Sequence, residues 1–470
     1  IIDFISIIME RLIERRLLEW RDSPDRKPLV LLGIRQCGKT YVLKEFGRRH
    51  YESMAYFDFE SNPELRRVFW NLDPHRIVDE LSRISGVPID KGTLIVFDEV
   101  QMCYPALASM KYFLQDAPEY HVVCAGSLLG LAVAERRGME DEAHSFPVGK
   151  VTFMRMRPMC FGEFVMARMG RGAFDFLESM DPRGPIPDDL LRALDSAYLE
   201  YLLVGGMPEA VERWCSTHDI TEVRRVQRDI ISSYRNDMGK YSVESYARMT
   251  AVWEAAAHQV AESGDRFRMK EAGGYTKTLA EPIQWLLDAD LLLRVWEVNG
   301  ADVPPNPRGG IYFKLYLPDV GLLTCQANVG YDTLASGGGE SSGIRGAIAE
   351  NFVLNELRYA LDIDGDSYYW ANGSGTSEVD FQLTVGRDPV PVEVKSGKLG
   401  RIRSLEFYCS RYSPKASFVV CRRNPRIGGE GEYTLVPMYL VWRFGDFAEA
   451  AGLRTGPGEV PPLPEWEPPA

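Results

Sequence analysis

The stretch Gly33-Ile34-Arg35-Gln36-Cys37-Gly38-Lys39-Thr40 matches G-x-x-x-x-G-K-T in full. Glycines at these positions let backbone N–H groups wrap a phosphate, and a helix opening at the lysine adds its partial positive charge. Lys39 is placed to reach the β/γ-phosphates and Thr40 to hold Mg²⁺ through its hydroxyl. Each residue of the loop, Gly33 through Thr40, and Tyr41 after it is therefore a candidate nucleotide contact. A second apolar run, Leu94–Phe97, ends in Asp98-Glu99. Asp98 suits the outer Mg²⁺ shell, and Glu99 suits the general base that polarises an attacking water. The expected ligands are ATP and Mg²⁺. A glycine turn before a helix, or a strand capped by two acids, is the plain alternative for each motif alone.

A further set lies near the other end: Glu350, Asp380, Glu393 and Lys395. A helix over 344–361 puts Glu350 on a stripe with Ala347, Leu354, Leu357 and Leu361. A carboxylate there is costly unless paired or bound to metal. Along Glu378–Val385, Asp380 and Gln382 share one strand face. Along Val390–Lys395, Glu393 and Lys395 share one. A two-residue turn at Arg387-Asp388 sets Asp380 against Lys395 and Gln382 against Glu393. Asp380 and Glu393 are then diagonal neighbours ~7–8 Å apart, able to share a divalent metal. This D…(D/E)-x-K arrangement resembles the restriction-endonuclease-like nucleases, and that resemblance implies that Lys395 aligns or activates the attacking water. The order helix, hairpin, helix (399–412) and strand (416–422) is similar to their core. The plain alternative is an exposed Glu/Lys strand with a cross-strand ion pair. Residues 394–426 carry nine basic residues (Lys395, Lys398, Arg401, Arg403, Arg411, Lys415, Arg422, Arg423, Arg426) against one acid, Glu406. Such a patch would neutralise phosphates and suggests DNA as a partner.

The elements that must position these groups follow from pattern. Pro28–Leu32, Met54–Glu60, Leu94–Phe97 and His121–Ser127 read as buried parallel strands alternating with helices, an αβα sandwich. Residues 161–235 read as helices broken at 170–172, 181–187 and 205–208. From about 247, two helices (249–263 and 276–287) precede two strands (291–299 and 310–317), the winged-helix order. Lys277 is the only base on the second helix, beside Glu281 and Asp288, which makes a poor groove reader. The expected fold class is α/β. Its expected parts are a P-loop NTPase domain (1–160), a helical lid (161–240), a winged-helix-like unit (241–317) and a restriction-endonuclease-like domain (318–440). A tail (441–470), Pro-rich from about 456, completes the chain.

A strand between the phosphate-loop and Asp-Glu strands in sequence, and a polar residue ending the next, resemble the AAA+ ATPases. That resemblance implies a γ-phosphate sensor role for Ser127. The stretches Ser145–Phe164 and Gly205-Gly206-Met207-Pro208-Glu209 resemble a bacterial and archaeal family of AAA ATPases. Its members carry a C-terminal domain of unknown function with a restriction-endonuclease-like core. Gly149-Lys150 stands where members often have Gly-Arg, and lysine lacks the two-pronged contact of arginine. The arginine finger stays unassigned, with Arg136 and Arg137 as candidates.

Composition bounds these readings. With 54 Lys+Arg against 67 Asp+Glu, the net charge is −13, so nucleic-acid contact must rest on a local patch. Eight scattered cysteines argue against a zinc ribbon or a disulfide scaffold. No apolar run approaches ~20 residues, so no membrane span is expected. Residues 4–20 read as an amphipathic helix rather than an export signal, and the cytoplasm is the default. Oligomeric state is left open. The leading expectation is an ATPase whose nucleotide state controls a nuclease-like domain acting on or binding DNA. The alternatives are a switch whose inactive nuclease fold binds a partner protein, and a purely mechanical ATPase.

Overall fold

The computed structural model describes residues 9–126, 149–241, 243–262, 265–335, 341–397, 400–429 and 431–455. Ser127, Arg136, Arg137, Lys398 and the Pro-rich tail fall outside the described residues. A helix α1 (Ile13–Asp22) leads to β1 (Leu29–Leu32), α2 (Lys39–His50), β2 (Ser53–Asp58), α3 (Pro74–Ser85), β3 (Thr93–Asp98), α4 (Tyr104–Asp116), β4 (His121–Ala125) and β5 (Thr152–Arg155). The five strands form one parallel sheet in the order β2-β3-β4-β1-β5. β4 therefore lies between the phosphate-loop strand and the Asp-Glu strand. All six residues of β3 are buried, as a central parallel strand requires. α3 shows how sequence sets element ends: the Asp73 carboxylate accepts from the His75 N–H, Pro74 opens the helix, and Gly86 closes it in the left-handed region.

Of the helix expected over residues 4–20, positions 4–8 lie outside the described residues, and residues 9–12 precede the described helix, which begins at Ile13. Arg11 is used elsewhere: its guanidinium donates to the carbonyls of Cys37 (2.8 Å) and Arg157 (2.7 Å) and pairs with buried Glu163 at 3.1 Å. The Leu12 N–H donates to the same Glu163 carboxylate at 2.6 Å. These tertiary bonds anchor the turn that enters α1, where Leu12 is already in the helical region.

Five helices follow: α5 (Phe161–Met169), α6 (Arg171–Ser179), α7 (Asp188–Val204), α8 (Pro208–Thr217) and α9 (Ile220–Tyr241). Next come α10 (Val243–Glu262), α11 (Thr276–Asp288), β6 (Leu293–Val298) and β7 (Phe313–Tyr316). The two strands pair antiparallel as a wing would, but β6 also pairs in parallel with β8 (Ser367–Ala371). A four-stranded sheet, β7-β6-β8-β9 with β9 at Glu378–Val379, thus crosses the boundary expected at residue 317. The physical reason is an unsatisfied edge: β6 has backbone groups on both sides, and β8 takes the second set. Gln284, Leu287 and Asp288 of α11 line a cavity of about 490 Å³ shared with Leu32, Phe153 and Arg155. On the expected recognition helix Lys277, Glu281 and Gln284 are exposed, while Leu279, Ile283 and Leu286 are buried.

The C-terminal part contains α12 (Val320–Gln326), α13 (Tyr331–Ala335), α14 (Ser341–Ala360), β9 (Glu378–Val379), β10 (Phe381–Val385), β11 (Asp388–Lys395), α15 (Arg403–Tyr412), β12 (Phe418–Cys421), β13 (Thr434–Pro437) and α16 (Phe444–Ala450). β10 and β11 are antiparallel, and β11, β12 and β13 run parallel. The hairpin turn sits one residue earlier than expected. Val385 pairs with Asp388, so Gly386-Arg387 is the loop, with Gly386 at φ 63°. The register moves by two, which keeps every face; the ladder ends at Phe381 opposite Val392, and Asp380 just beyond it accepts from the Val394 N–H.

Candidate functional site

The phosphate loop folds as its glycines permit. Gly33 sits at φ 148°, where a Cβ would lie 2.2 Å from the Met156 carbonyl oxygen, and Gly38 at φ 98° opens α2. Lys39 is buried, and its ammonium donates to the carbonyls of Gly33 (2.8 Å) and Ile34 (3.0 Å). The Thr40 hydroxyl donates to the Asp98 carboxylate at 2.7 Å, as does the Tyr56 hydroxyl. Tyr56 was not legible as a site residue; it lies on β2, which aligns Tyr56 with Val96 of β3. The Tyr56 phenol is held well above its usual range, first by burial and then by Asp98. Glu99 stands at φ 48°, so the chain turns sharply where β3 ends. Its carboxylate accepts from the Gln101 side-chain N–H.

Gly38, Lys39, Thr40, Asp98 and Glu99 line a cavity of about 510 Å³ together with Met9, Arg11, Arg35, Gln36 and Tyr41. Its far wall is Pro208, Glu209 and Glu212 of α8. The Gly205-Gly206 pair sets that helix in place. The Gly206 carbonyl accepts from the Met159 N–H at 2.7 Å, its N–H donates to buried Asp319, and a Cβ on it would meet the Met159 oxygen at 2.0 Å. On the rim, Arg35 pairs with Asp237 of α9 at 3.1 Å, and the Tyr234 hydroxyl donates to the Arg35 carbonyl at 2.9 Å. Glu209, Glu212, Asp237 and Arg11 are contacts that spacing could not indicate. Ile34 and Cys37 point into the core. Ser127 lies outside the described residues.

The second set also comes together, with additions. At Asp380 the chain leaves one sheet for the other, because β9 pairs with β8 while β10 pairs with β11. The Asp380 carboxylate accepts from the Val394 N–H at 2.6 Å. Lys395 pairs with buried Glu393 at 2.6 Å, while Glu393 Oε2 has no hydrogen-bond partner. Glu350 accepts from the Tyr316 hydroxyl at 3.0 Å. Lys314 of β7 reaches into the group, 2.5 Å from Glu378 and 3.8 Å from Glu350. Its one sequence signal was a lysine inside an apolar strand, Phe313-Lys314-Leu315-Tyr316. Burial, and then Asp380, push the Glu350 carboxyl up to about 8 and that of Glu393 up to about 7. Asp380 is raised too, chiefly by burial. Burial acts to lower the Lys314 ammonium, but Tyr316 and the surrounding carboxylates outweigh it and hold it above the usual lysine range. Among the described residues, no three His, Cys, Asp or Glu side chains are gathered so as to hold a metal ion. The set does not fit a three-carboxylate metal centre as it stands.

The basic stretch is partly committed. Lys395 pairs with Glu393, Arg422 with Asp195, and Lys415 lies 3.8 Å from Asp388. Arg401, Arg403, Arg411, Arg423 and Arg426 are exposed. Among the described residues, no helix is long and apolar enough to cross a membrane.

The parts of the chain that carry the two sites are tied together by ion pairs. Arg155 and Arg157 beside β5 pair with Asp364 at 2.8 and 3.0 Å, and Arg16 and Arg157 pair with Asp362. Glu356 of α14 accepts from the Phe161 N–H at 3.0 Å, at the start of α5.

Comparison with known proteins finds an AAA domain in the N-terminal part. Residues 25–165 match the AAA domain family. Residues 195–333 match a domain of unknown function, DUF8612, and residues 345–441 another, DUF4143. No curated protein matches the chain. Among solved structures, the Walker-type ATPase PABY2304 of Pyrococcus abyssi is 16% identical, covering 68% of this chain and 96% of its own, with a TM-score of 0.44. The Aeropyrum pernix ORC1 protein in complex with DNA is 15% identical, covering 67% and 91%, with a TM-score of 0.26. A Pyrococcus horikoshii signal transduction ATPase with a tetratricopeptide repeat sensor is 11% identical, covering 74% of this chain and 46% of its own, with a TM-score of 0.25. The N-terminal part is an AAA-type, ATP-binding P-loop ATPase domain.

Proposed function

We propose that this chain is a magnesium-dependent ATPase whose nucleotide state is passed to a C-terminal, nuclease-like domain that acts on or binds DNA. The observation that carries the ATPase reading is the 2.7 Å contact between Thr40 and Asp98 inside the cavity floored by Lys39. Thr40 and Asp98 are hard oxygen donors that would hold Mg²⁺, which when bound neutralises phosphate charge. Lys39 exchanges its bonds to the loop carbonyls for phosphate oxygens. Glu99 orients a water and takes its proton as the water oxygen bonds to the γ-phosphorus. The bond to the bridging oxygen breaks, and ADP leaves with that electron pair.

Coupling is supported by α14. It carries Glu356 against the ATPase domain and Glu350 in the acidic set, about 9 Å apart along one rigid helix. The arginine–aspartate pairs at its C-terminal end tie it to β5. Helix α14, the β10–β11 hairpin, α15 and β12 support the nuclease-like reading of the second domain. A second reading, an inactive nuclease fold that binds a partner protein, is favoured by the absence of three converging metal ligands among the described residues.

The test is nucleotide binding and hydrolysis by wild type and Lys39→Ala, with a Mg²⁺/Mn²⁺ DNA-cleavage and DNA-binding assay beside Asp380→Ala, each with and without ATP. The ATPase reading expects Lys39→Ala to lose ATP binding, and unchanged affinity refutes it. Asp380-dependent cleavage supports the nuclease; ATP hydrolysis with neither cleavage nor DNA binding selects the partner-binding form.

A further inference from the structure

The acidic set of the C-terminal domain already contains a cation, and it comes from outside that domain's own core. Lys314 belongs to β7, whose antiparallel partner is β6. Its residue is 3% exposed, in a strand whose four positions are all buried. The ammonium lies 2.5 Å from Glu378 and 3.8 Å from Glu350, and 4.9 Å from the centre of the Tyr369 ring. Tyr316, two residues on and therefore on the same face of β7, donates to Glu350. The Tyr369 hydroxyl donates in turn to buried Glu297 at 2.8 Å, which is paired with Arg266 and Arg308. The lysine is fixed from several sides, and a buried ammonium needs the carboxylates it touches.

We propose that Lys314 is the resident counter-cation of the acidic set, holding Glu350 and Glu378 so that the set is complete without a divalent metal and resists one. Glu350 and Glu378, the carboxylates beside those ligand positions, are engaged by the lysine and its neighbouring tyrosine. The charge that would attract the metal is partly neutralised at short range, where the low dielectric makes that neutralisation strong. Glu393 Oε2, buried and without a hydrogen-bond partner, marks where spare ligand capacity remains. This inference rests on reading Asp380 and Glu393 as the ligand positions of a nuclease-like site. It assigns Lys314 a positioning role, not a catalytic one.

The experiment titrates MnCl₂ into the full chain without nucleotide and follows the free Mn²⁺ signal by electron paramagnetic resonance. The chains are wild type, Lys314→Gln, Lys314→Arg, Asp380→Asn and the Lys314→Gln/Asp380→Asn double variant. The expected result is about tenfold or more tighter Mn²⁺ binding in Lys314→Gln than in wild type. The gain should be lost in the double variant and absent in Lys314→Arg, which keeps the charge. Equal Asp380-dependent binding in wild type and Lys314→Gln overturns the inference while leaving the ligand reading intact. Mn²⁺ binding indifferent to Asp380 in every chain overturns both. Lys314→Gln that folds yet gains no Mn²⁺ site also overturns it. Should Lys314→Gln unfold, Lys314→Met takes its place in the same titration, with the same Asp380-dependent gain expected and the absence of that gain overturning the inference.

Discussion

Glu356 offers a sharp test of the packing between the ATPase domain and α14. Its carboxylate is 1% exposed, with one oxygen accepting from the Phe161 N–H and the other without a partner. Burial pushes its pKa from an ordinary 4.5 up to about 8. The folded chain therefore keeps this proton over a range in which the unfolded chain releases it. Its contribution to stability is full below 4.5 and is lost as pH rises through about 8. Each pH unit within that window is worth about 1.4 kcal/mol, so the ceiling is about 5 kcal/mol. Glu356→Gln keeps an acceptor for Phe161 and cannot ionise. Thermal unfolding of wild type and Glu356→Gln between pH 5 and pH 9 isolates the term from the other raised carboxyls, since those titrate in both chains. The wild type should lose stability relative to the variant as pH rises, most of the difference accumulating between about 5 and 8, with a plateau above. A pH-independent difference between the two chains refutes the reasoning.

Three further outcomes follow from the same geometry. Glu99→Gln should keep ATP binding and slow hydrolysis about 10²–10⁴-fold, measured by phosphate release, as loss of a general base requires. Gly33→Ala should destabilise the chain by about 1–3 kcal/mol in denaturant unfolding, because its Cβ would enter the Met156 carbonyl and its φ of 148° disfavours a side chain. Arg157→Ala, which removes pairs to Asp362 and Asp364, should lower thermal stability while leaving ATP affinity within about twofold, as checked by nucleotide titration.

Local pattern carried the first site almost whole. Glycine spacing, a continuous apolar run and a terminal acid pair are short-range features, and each specifies one strand or one turn. The glycine at Gly206 shows where that ends: its residues were visible as a motif, but the 2.0 Å approach to Met159 that requires the glycine is tertiary. The face assignment on β10 and β11 was legible because side chains alternate with period two. The register was not, since a turn one residue earlier preserves every face and still moves Gln382 from Glu393 to Pro391.

What the amino-acid order decided by itself is the phosphate loop, the Asp98-Glu99 strand end, and the acid and lysine residues of the hairpin. Only the folded chain decided that β6 would take β8 as a second partner, that Lys314 would enter the acidic set, and that Arg11 would brace the loop from behind. The reason is range. Periodicity and spacing report neighbours within one element, whereas a buried charge finds its partner across a distance in sequence that only packing can close.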